Sequence, residues 1–201
     1  RFSLFLISCI SLCLLSGFVI PSFVINSSVE EFCGIDGYGS PLYFLGISTL
    51  QCAGLLLFWP MCIYFLFHDR VQTIMTVTML LLTLCGIVNA FAFSGDYGLL
   101  SRLITFSAGI SSPSKLFILL NILAVIAVIA AVLVLYKFRL QKIVSALSAI
   151  ILMALASITV IHTAQISGGY RGYKKTVSES DLNANKIAPV FHLSKTGKNV
   201  V

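Results

Sequence analysis

Long apolar runs separated by short polar stretches make up the chain as far as position 166. The runs cover residues 2–25, 42–67, 73–93, 116–136 and 143–166, and none of them contains Asp, Glu, Lys or Arg. An α-helix needs about 20 apolar residues to cross the hydrocarbon core of a bilayer. The first run is longer than the apolar core of a signal peptide and has no A-x-A cleavage pattern, so we expect that helix to be retained. The pattern therefore predicts five transmembrane helices.

The composition supports a lipid environment rather than a water-soluble fold. The 201 residues are 58% hydrophobic and 10% charged, and the mean hydropathy is +1.02, whereas soluble domains carry roughly 25% charged residues. The net charge of +6 does not indicate a nucleic-acid partner, because the basic residues form no stripe and lie between the apolar runs. We expect an all-α integral membrane protein: a bundle of about five transmembrane helices with a short polar extracytoplasmic tail, and the bilayer as its partner.

The basic residues of the short loops predict an orientation. Cytoplasmic loops of membrane proteins carry an excess of Lys and Arg. Residues on the N-terminal side of the membrane would be Arg1, Arg70, Lys137, Arg139 and Lys142. The short loops on the other side hold Arg102 and Lys115. This predicts a multipass protein of the plasma (inner) membrane with a cytoplasmic N-terminus and an extracytoplasmic C-terminus, although Arg171, Lys174 and Lys175 near the last span favour the reverse.

The character of the chain changes after Ser167. Residues 168–201 are polar and begin with Gly168-Gly169, so we expect an extracytoplasmic linker that leads into a further domain. The sequence starts at Arg1 without Met and stops at Val201 in the apolar start of a strand. We therefore expect a fragment of a longer protein.

Polar residues inside the spans are the first candidates for chemistry in a membrane protein. Here they are Gln51, Asn89, Asn121, His162 and Gln165. We expect Asn89 and Asn121 to bond between helices and His162 to serve in helix packing, since a lone His lacks metal partners. The cysteines inside the runs are expected to act as small hydrophobes. No Ser-His-Asp constellation or metal-ligand spacing is visible, so we expect no catalytic and no metal site in this fragment.

One loop has the composition of a headgroup-binding segment. In residues 94–115, Leu99, Leu100, Leu103 and Ile104 recur at helical spacing. This predicts a short interfacial helix over residues 99–106, with Asp96, Tyr97 and Arg102 as candidate contacts to lipid headgroups. The alternative is a solvated connecting loop that turns at Gly95.

The end of the chain carries a short motif, Lys198-Asn199-Val200-Val201 after Gly197. It resembles the opening strand of the catalytic domain in membrane-anchored members of the alkaline phosphatase/sulfatase superfamily, such as lipoteichoic acid synthases and lipid phosphoethanolamine transferases. The segment Gly95-Asp96-Tyr97-Gly98 also looks like the outer loop of such anchors. The resemblance implies an anchor of about five helices followed by an exported domain, whose nucleophile and divalent metal would lie beyond Val201.

These expectations lead to one main hypothesis and two alternatives. The chain would be the membrane anchor of an extracytoplasmic enzyme acting on phosphate or sulfate esters, lipid headgroups among them. A second interpretation is a small multipass transport or permease subunit, and a third is a non-catalytic membrane assembly protein. The sequence after Val201 discriminates between them, because only the first requires a long metal-binding domain there.

Overall fold

The computed structural model describes residues 1–33, 39–93, 114–138 and 140–184, of which 179–184 are described by their backbone alone. Every regular element within these ranges is helical. The long helices are α1 (Phe2–Ser27), α2 (Leu42–Leu66), α3 (Asp69–Ala92), α4 (Lys115–Lys137) and α5 (Gln141–Ala184). A 3₁₀ turn, Val29–Phe32, follows α1. All five helices are long and apolar enough to cross a membrane, which confirms the helical fold class and the predicted runs.

The helices alternate in direction along the bundle. Where α1 begins, Phe2 lies against Phe65 near the end of α2, with ring centroids 5.5 Å apart. Where α1 ends, Phe23 lies 5.8 Å from Phe91 near the end of α3. We call the first end the basic end, because it carries Arg1, Arg70, Lys137 and Lys142. The other is the tail end, where α5 leaves the bundle toward Ala184.

Helix α1 is the centre of the bundle. In the most apolar 18-residue stretch of α1, 56% of the residues are buried, against 6% in the corresponding stretches of α2 and α4. Each of the four buried apolar clusters contains at least one α1 residue and joins it to one or more other helices. The second cluster joins four helices through Leu4, Leu80, Val132 and Val144. The burial of Cys9 and Cys13 in α1 confirms that these cysteines pack as small hydrophobes.

The backbones of α1 and α2 approach each other closely at Gly17. A Cβ on Gly17 would lie 2.8 Å from the Cα of Thr49 and 2.9 Å from the Cβ of Cys52. Thr49 Oγ1 reaches the Gly17 carbonyl at 3.2 Å, and the same hydroxyl lies 2.7 Å from the Leu45 carbonyl of its own helix, so its one proton is shared between the two acceptors. Small residues are typical of such contacts in membrane bundles, because they let two helix backbones meet.

Two helices widen into a π-helical turn next to a proline. Residues Leu15–Val19 precede Pro21, and Gly54–Phe58 precede Pro60. Proline has no N–H to donate to the carbonyl four residues earlier, and a π-turn is one of the irregular forms in which a helix continues past such a site. In α2 the helix continues past Pro60 directly after this π-turn. A third π-turn, Val88–Ala92, ends α3.

Helix α3 begins earlier than the apolar run predicted. Residues 68–72 lie between the predicted runs 42–67 and 73–93, but His68 is extended and the helix already starts at Asp69. An acidic residue in the first turn is favourable because it faces the positive end of the helix dipole. The polar residues at this position therefore start the helix instead of interrupting it.

Helix α5 extends well past its predicted end at residue 166. It has 44 residues and continues through Gly168, Gly169 and Gly172 to Ala184, into the segment that was expected to be a linker. At Gly169 the absence of a side chain admits Val29, whose Cγ1 would lie 3.1 Å from an added Cβ. This contact holds the 3₁₀ turn against α5 and shows why a glycine can be useful there despite its low helix propensity.

Large apolar side chains cover much of the outside of the bundle. On α4, Leu116, Ile122, Ile126 and Leu133 are all exposed, and Val132 is its one buried residue among those described. A water-soluble protein seldom leaves so large an apolar surface uncovered, whereas contact with lipid chains requires one.

Candidate functional site

Polar side chains connect α1 and α5 at the tail end of the bundle. Ser22 Oγ lies 2.6 Å from His162 Nδ1, and one turn further along, Asn26 Nδ2 donates to Gln165 Oε1 at 2.9 Å. The imidazole of His162 also meets the ring of Phe23 edge-on, with centroids 4.8 Å apart. These contacts form the largest group of side chain–side chain hydrogen bonds in the described part of the chain.

The Ser22–His162 pair has a geometry that favours packing over nucleophilic catalysis. A serine hydroxyl has one proton to donate, and Ser22 donates it to the Val19 carbonyl at 2.7 Å. The roles in the Ser22–His162 contact depend on the His162 tautomer, and both contacts of Ser22 are satisfied when the imidazole proton is on Nδ1 and Ser22 Oγ accepts it. A general base would need the opposite arrangement, with the imidazole accepting from the hydroxyl. The pair joins two helices, as expected for His162.

A second pair joins α3 and α4. Asn121 Nδ2 donates to Asn89 Oδ1 at 2.9 Å, and Asn89 Nδ2 donates to the Cys85 carbonyl at 2.8 Å within its own helix. The side-chain amide of Asn89 is therefore hydrogen-bonded both to a carbonyl of α3 and to Asn121 on α4. This confirms the prediction that these two asparagines bond between helices.

The segment after α1 folds back onto the extension of α5. Beside the contact of Val29 with Gly169, the hydroxyl of Tyr170 lies 3.2 Å from the position of a Cβ on Gly39. Cys33 is buried here, and its thiol donates to the Val29 carbonyl at 3.2 Å. Val29 and Gly39, from the two described parts of the 28–41 connection, therefore both lie beside α5 just beyond its apolar part.

The candidate headgroup residues Asp96, Tyr97 and Arg102 lie outside the described residues, as do the expected helix at 99–106 and the motif Lys198-Asn199-Val200-Val201. The structure describes α3 and α4, the helices on either side of residues 94–113. Phe93 at the end of α3 meets Phe117 at the start of α4, with ring centroids 5.3 Å apart. The connection 94–113 therefore leaves from the tail end and returns to it.

Within the described ranges no group of three or more His, Cys, Asp or Glu residues is placed to hold a metal ion. The acidic residues of the 3₁₀ turn, Glu30 and Glu31, are neighbours in sequence. The expected divalent metal remains a prediction for the sequence beyond Val201.

Sequence reasoning missed Ser22 and Asn26 as partners of α5. A signal was present, because Ser22 and Asn26 lie four residues apart on one face of α1, and His162 and Gln165 lie three apart on α5. Two polar pairs, each on one face of an apolar helix and near the same end of the bundle, indicate faces that meet. The pattern does not reveal which helix faces which, and this requires the bundle.

Within the described residues, these features define a bundle of five helices that are long and apolar enough to span a membrane, with polar groups paired between neighbouring helices. Comparison of the chain with protein-family models, with curated proteins and with solved structures found no match. The resemblance to the alkaline phosphatase/sulfatase superfamily therefore rests on the residues of the sequence alone.

Proposed function

We propose that the chain is the membrane-anchoring module of an extracytoplasmic enzyme that acts on phosphate or sulfate esters, lipid headgroups among them. The helices would hold the catalytic domain at the membrane surface, and that domain would come after Val201. The N-terminus would be cytoplasmic and α5 would carry the chain out of the plasma membrane.

The observation that carries this proposal is the length of α5. At about 1.5 Å per residue, its 44 residues extend over roughly 66 Å, about twice the 30 Å of a bilayer's hydrocarbon core. Its apolar part ends near residue 166, so the segment that continues to Ala184 would stand clear of the hydrocarbon. A helix that leaves the membrane in this way is suited to hold a domain at a set distance from the surface.

The packing of the described residues of the 28–41 connection supports the same role. Val29 against Gly169 and Tyr170 beside Gly39 brace α5 at the level where it leaves its apolar part. A braced helix gives a fixed direction to the segment after it, whereas a flexible Gly-rich linker does not.

The polar residues of the spans favour an anchor over a transport subunit. Four of the five, all except Gln51, bond to a partner on a neighbouring helix. Transport sites usually present buried ionisable groups to a pathway, whereas these side chains are engaged in holding helices together.

The direct test compares two proteins in lipid vesicles: residues 1–201 alone, and the chain extended by the sequence that its gene encodes after Val201. We expect the extended protein to hydrolyse an aryl phosphate or aryl sulfate with added Mn²⁺ or Zn²⁺, and residues 1–201 to be inactive. Catalysis of this kind needs several ligands converging on the metal and a nucleophile within reach. Activity of residues 1–201 alone, or an extension without such a domain, would overturn the anchor proposal.

A further inference from the structure

A cavity of about 260 Å³ opens at the basic end of the bundle. It lies where α1 begins and where α4 gives way to α5. Its wall is formed by the side chains of Arg1, Ser3, Tyr136, Gln141, Lys142 and Ser145, with the buried Leu4 beside them. Three helices therefore contribute to one polar opening at the boundary between the apolar bundle and its basic turn.

The cavity has the charge of an anion site. Arg1 and Lys142 both line it, and none of the described residues in its wall is acidic. Neither cation forms an ion pair within the described part of the chain. The acidic residue of this end, Asp69, begins α3 and does not line the cavity. The positive charge is thus available to a ligand.

Neutral hydroxyl groups of the cavity wall could also bind a ligand. Most helical hydroxyls in this protein donate to the carbonyl four residues earlier, as Ser8 and Ser148 do at 2.9 and 2.8 Å. The hydroxyls of Ser145 and Tyr136 make no hydrogen bond within the described residues. An arginine, a lysine and several hydroxyl groups around one opening match the oxygen atoms of a phosphate group, which accept charge-assisted hydrogen bonds.

The volume of the cavity and the apolar residues beside it indicate which kind of molecule carries the phosphate. The volume is slightly below the roughly 300–1,000 Å³ of sites for drug-sized ligands, so a headgroup fits better than a larger cofactor. The exposed Ile143 and Leu147 lie in the same two turns of α5 as Lys142 and Ser145 and suit acyl chains. Basic openings between membrane helices on the cytoplasmic side are typical binding sites for anionic lipid headgroups.

We propose that this cavity binds the phosphate of an anionic phospholipid in the leaflet that surrounds the basic end. One lipid would bridge the start of α1 and the turn between α4 and α5, beside the buried cluster that contains Leu4, Val132 and Val144. The site is separate from the proposed catalytic domain and does not depend on it.

The test uses the 201-residue chain in nanodiscs of phosphatidylcholine with a minor fraction of phosphatidylglycerol. After transfer to mild detergent, native mass spectrometry measures the lipid that stays bound. We expect preferential retention of a single phosphatidylglycerol. Lys142→Gln should reduce the bound fraction about fivefold, the effect of one surface cation on an anionic headgroup. Lys142→Arg should retain it, and Arg70→Gln, at the same end but outside the cavity, should leave it unchanged.

Several outcomes would overturn the proposal. They are retention without preference for phosphatidylglycerol, an equal loss in Arg70→Gln and Lys142→Gln, and displacement of the lipid by millimolar inorganic phosphate. The last result would assign the cavity to a soluble anion. Circular dichroism checks that each variant keeps its helical content. If Lys142→Gln does not fold, Ser145→Ala serves in its place, with a smaller loss of lipid expected and the same contradicting results.

Discussion

Gly17 illustrates how much of the bundle depends on the size of single residues. It allows the backbone of α1 to approach Thr49 and Cys52 on α2 closely enough for the Thr49 hydroxyl to reach a main-chain carbonyl. The sequence shows Gly17 in an apolar run, which is compatible with either a lipid-facing or a helix-facing position. Only the packed structure distinguishes them, because apolar periodicity alone does not orient a helix that is apolar on all sides.

Gly17→Ala should therefore destabilise the bundle. The new Cβ would lie 2.8 Å from the Thr49 Cα, so the two backbones must separate, and overpacking of this kind costs about 1–3 kcal/mol. The measurement is the free energy of unfolding in bicelles. Gly46→Ala is the matched control on α2, since nothing lies within 4 Å of its added Cβ. Equal effects of the two variants would contradict the close contact.

The Asn89–Asn121 pair should show energetic coupling. A double-mutant cycle with Asn89→Leu and Asn121→Leu is expected to give about 0.6 kcal/mol, and not above roughly 1.7 kcal/mol, as for other hydrogen bonds between membrane helices. The control cycle pairs Asn121→Leu with Gln51→Leu, because Gln51 is exposed on α2 and its side-chain amide makes no hydrogen bond within the described residues. Coupling of the same size in both cycles would show that the Asn89–Asn121 bond has no specific energetic role.

At the scale of the elements, the positions of the helices were predictable and the length of α5 was not. The bilayer sets the length of an apolar helix, so the starts and ends of α1, α2 and α4 follow closely from the apolar runs. Beyond residue 166 the sequence is polar and contains Gly168, Gly169 and Gly172, which usually indicate the end of a helix. The helix continues there in contact with the 3₁₀ turn, a tertiary interaction that local sequence does not encode.

The brace between α5 and the 3₁₀ turn gives a prediction for Cys33. Gly169→Leu should displace Val29 and with it the turn, so the thiol of Cys33, which is 1% exposed, should react faster with a maleimide. Gly168→Leu is the matched control, because an added Cβ at Gly168 meets nothing within 4 Å. Labelling is followed by mass spectrometry of the peptide that contains Cys33. A rate increase in both variants, or in neither, would contradict the brace.

At the scale of the whole molecule, the number of helices follows from the sequence, and their arrangement does not. Five apolar runs of sufficient length predict five helices because each run satisfies the same length requirement. The central position of α1 depends on which faces meet, and it appears only in the buried clusters that include Leu4, Leu15 and Ile25. The cavity beside Arg1 and Lys142 could not be predicted from the sequence either, because its wall comes from three helices whose packing the sequence does not reveal.

The side of the membrane on which α5 ends decides whether the chain can anchor an extracytoplasmic domain. The basic residues of the short loops predict that the basic end lies in the cytoplasm, and on that prediction the tail end and the extension of α5 should lie outside. Cys33 is too deeply buried to report on this reliably. An introduced cysteine at Ser178, which is exposed near the end of α5, reports on it directly.

The measurement is labelling of Ser178→Cys in intact cells with a membrane-impermeant maleimide, in a chain that also carries Cys33→Ser. His68→Cys, exposed at the basic end, is the control. We expect Ser178→Cys to be labelled in intact cells and His68→Cys to be labelled only after permeabilisation. The reverse pattern would place the extension of α5 in the cytoplasm and contradict an anchor for an extracytoplasmic enzyme.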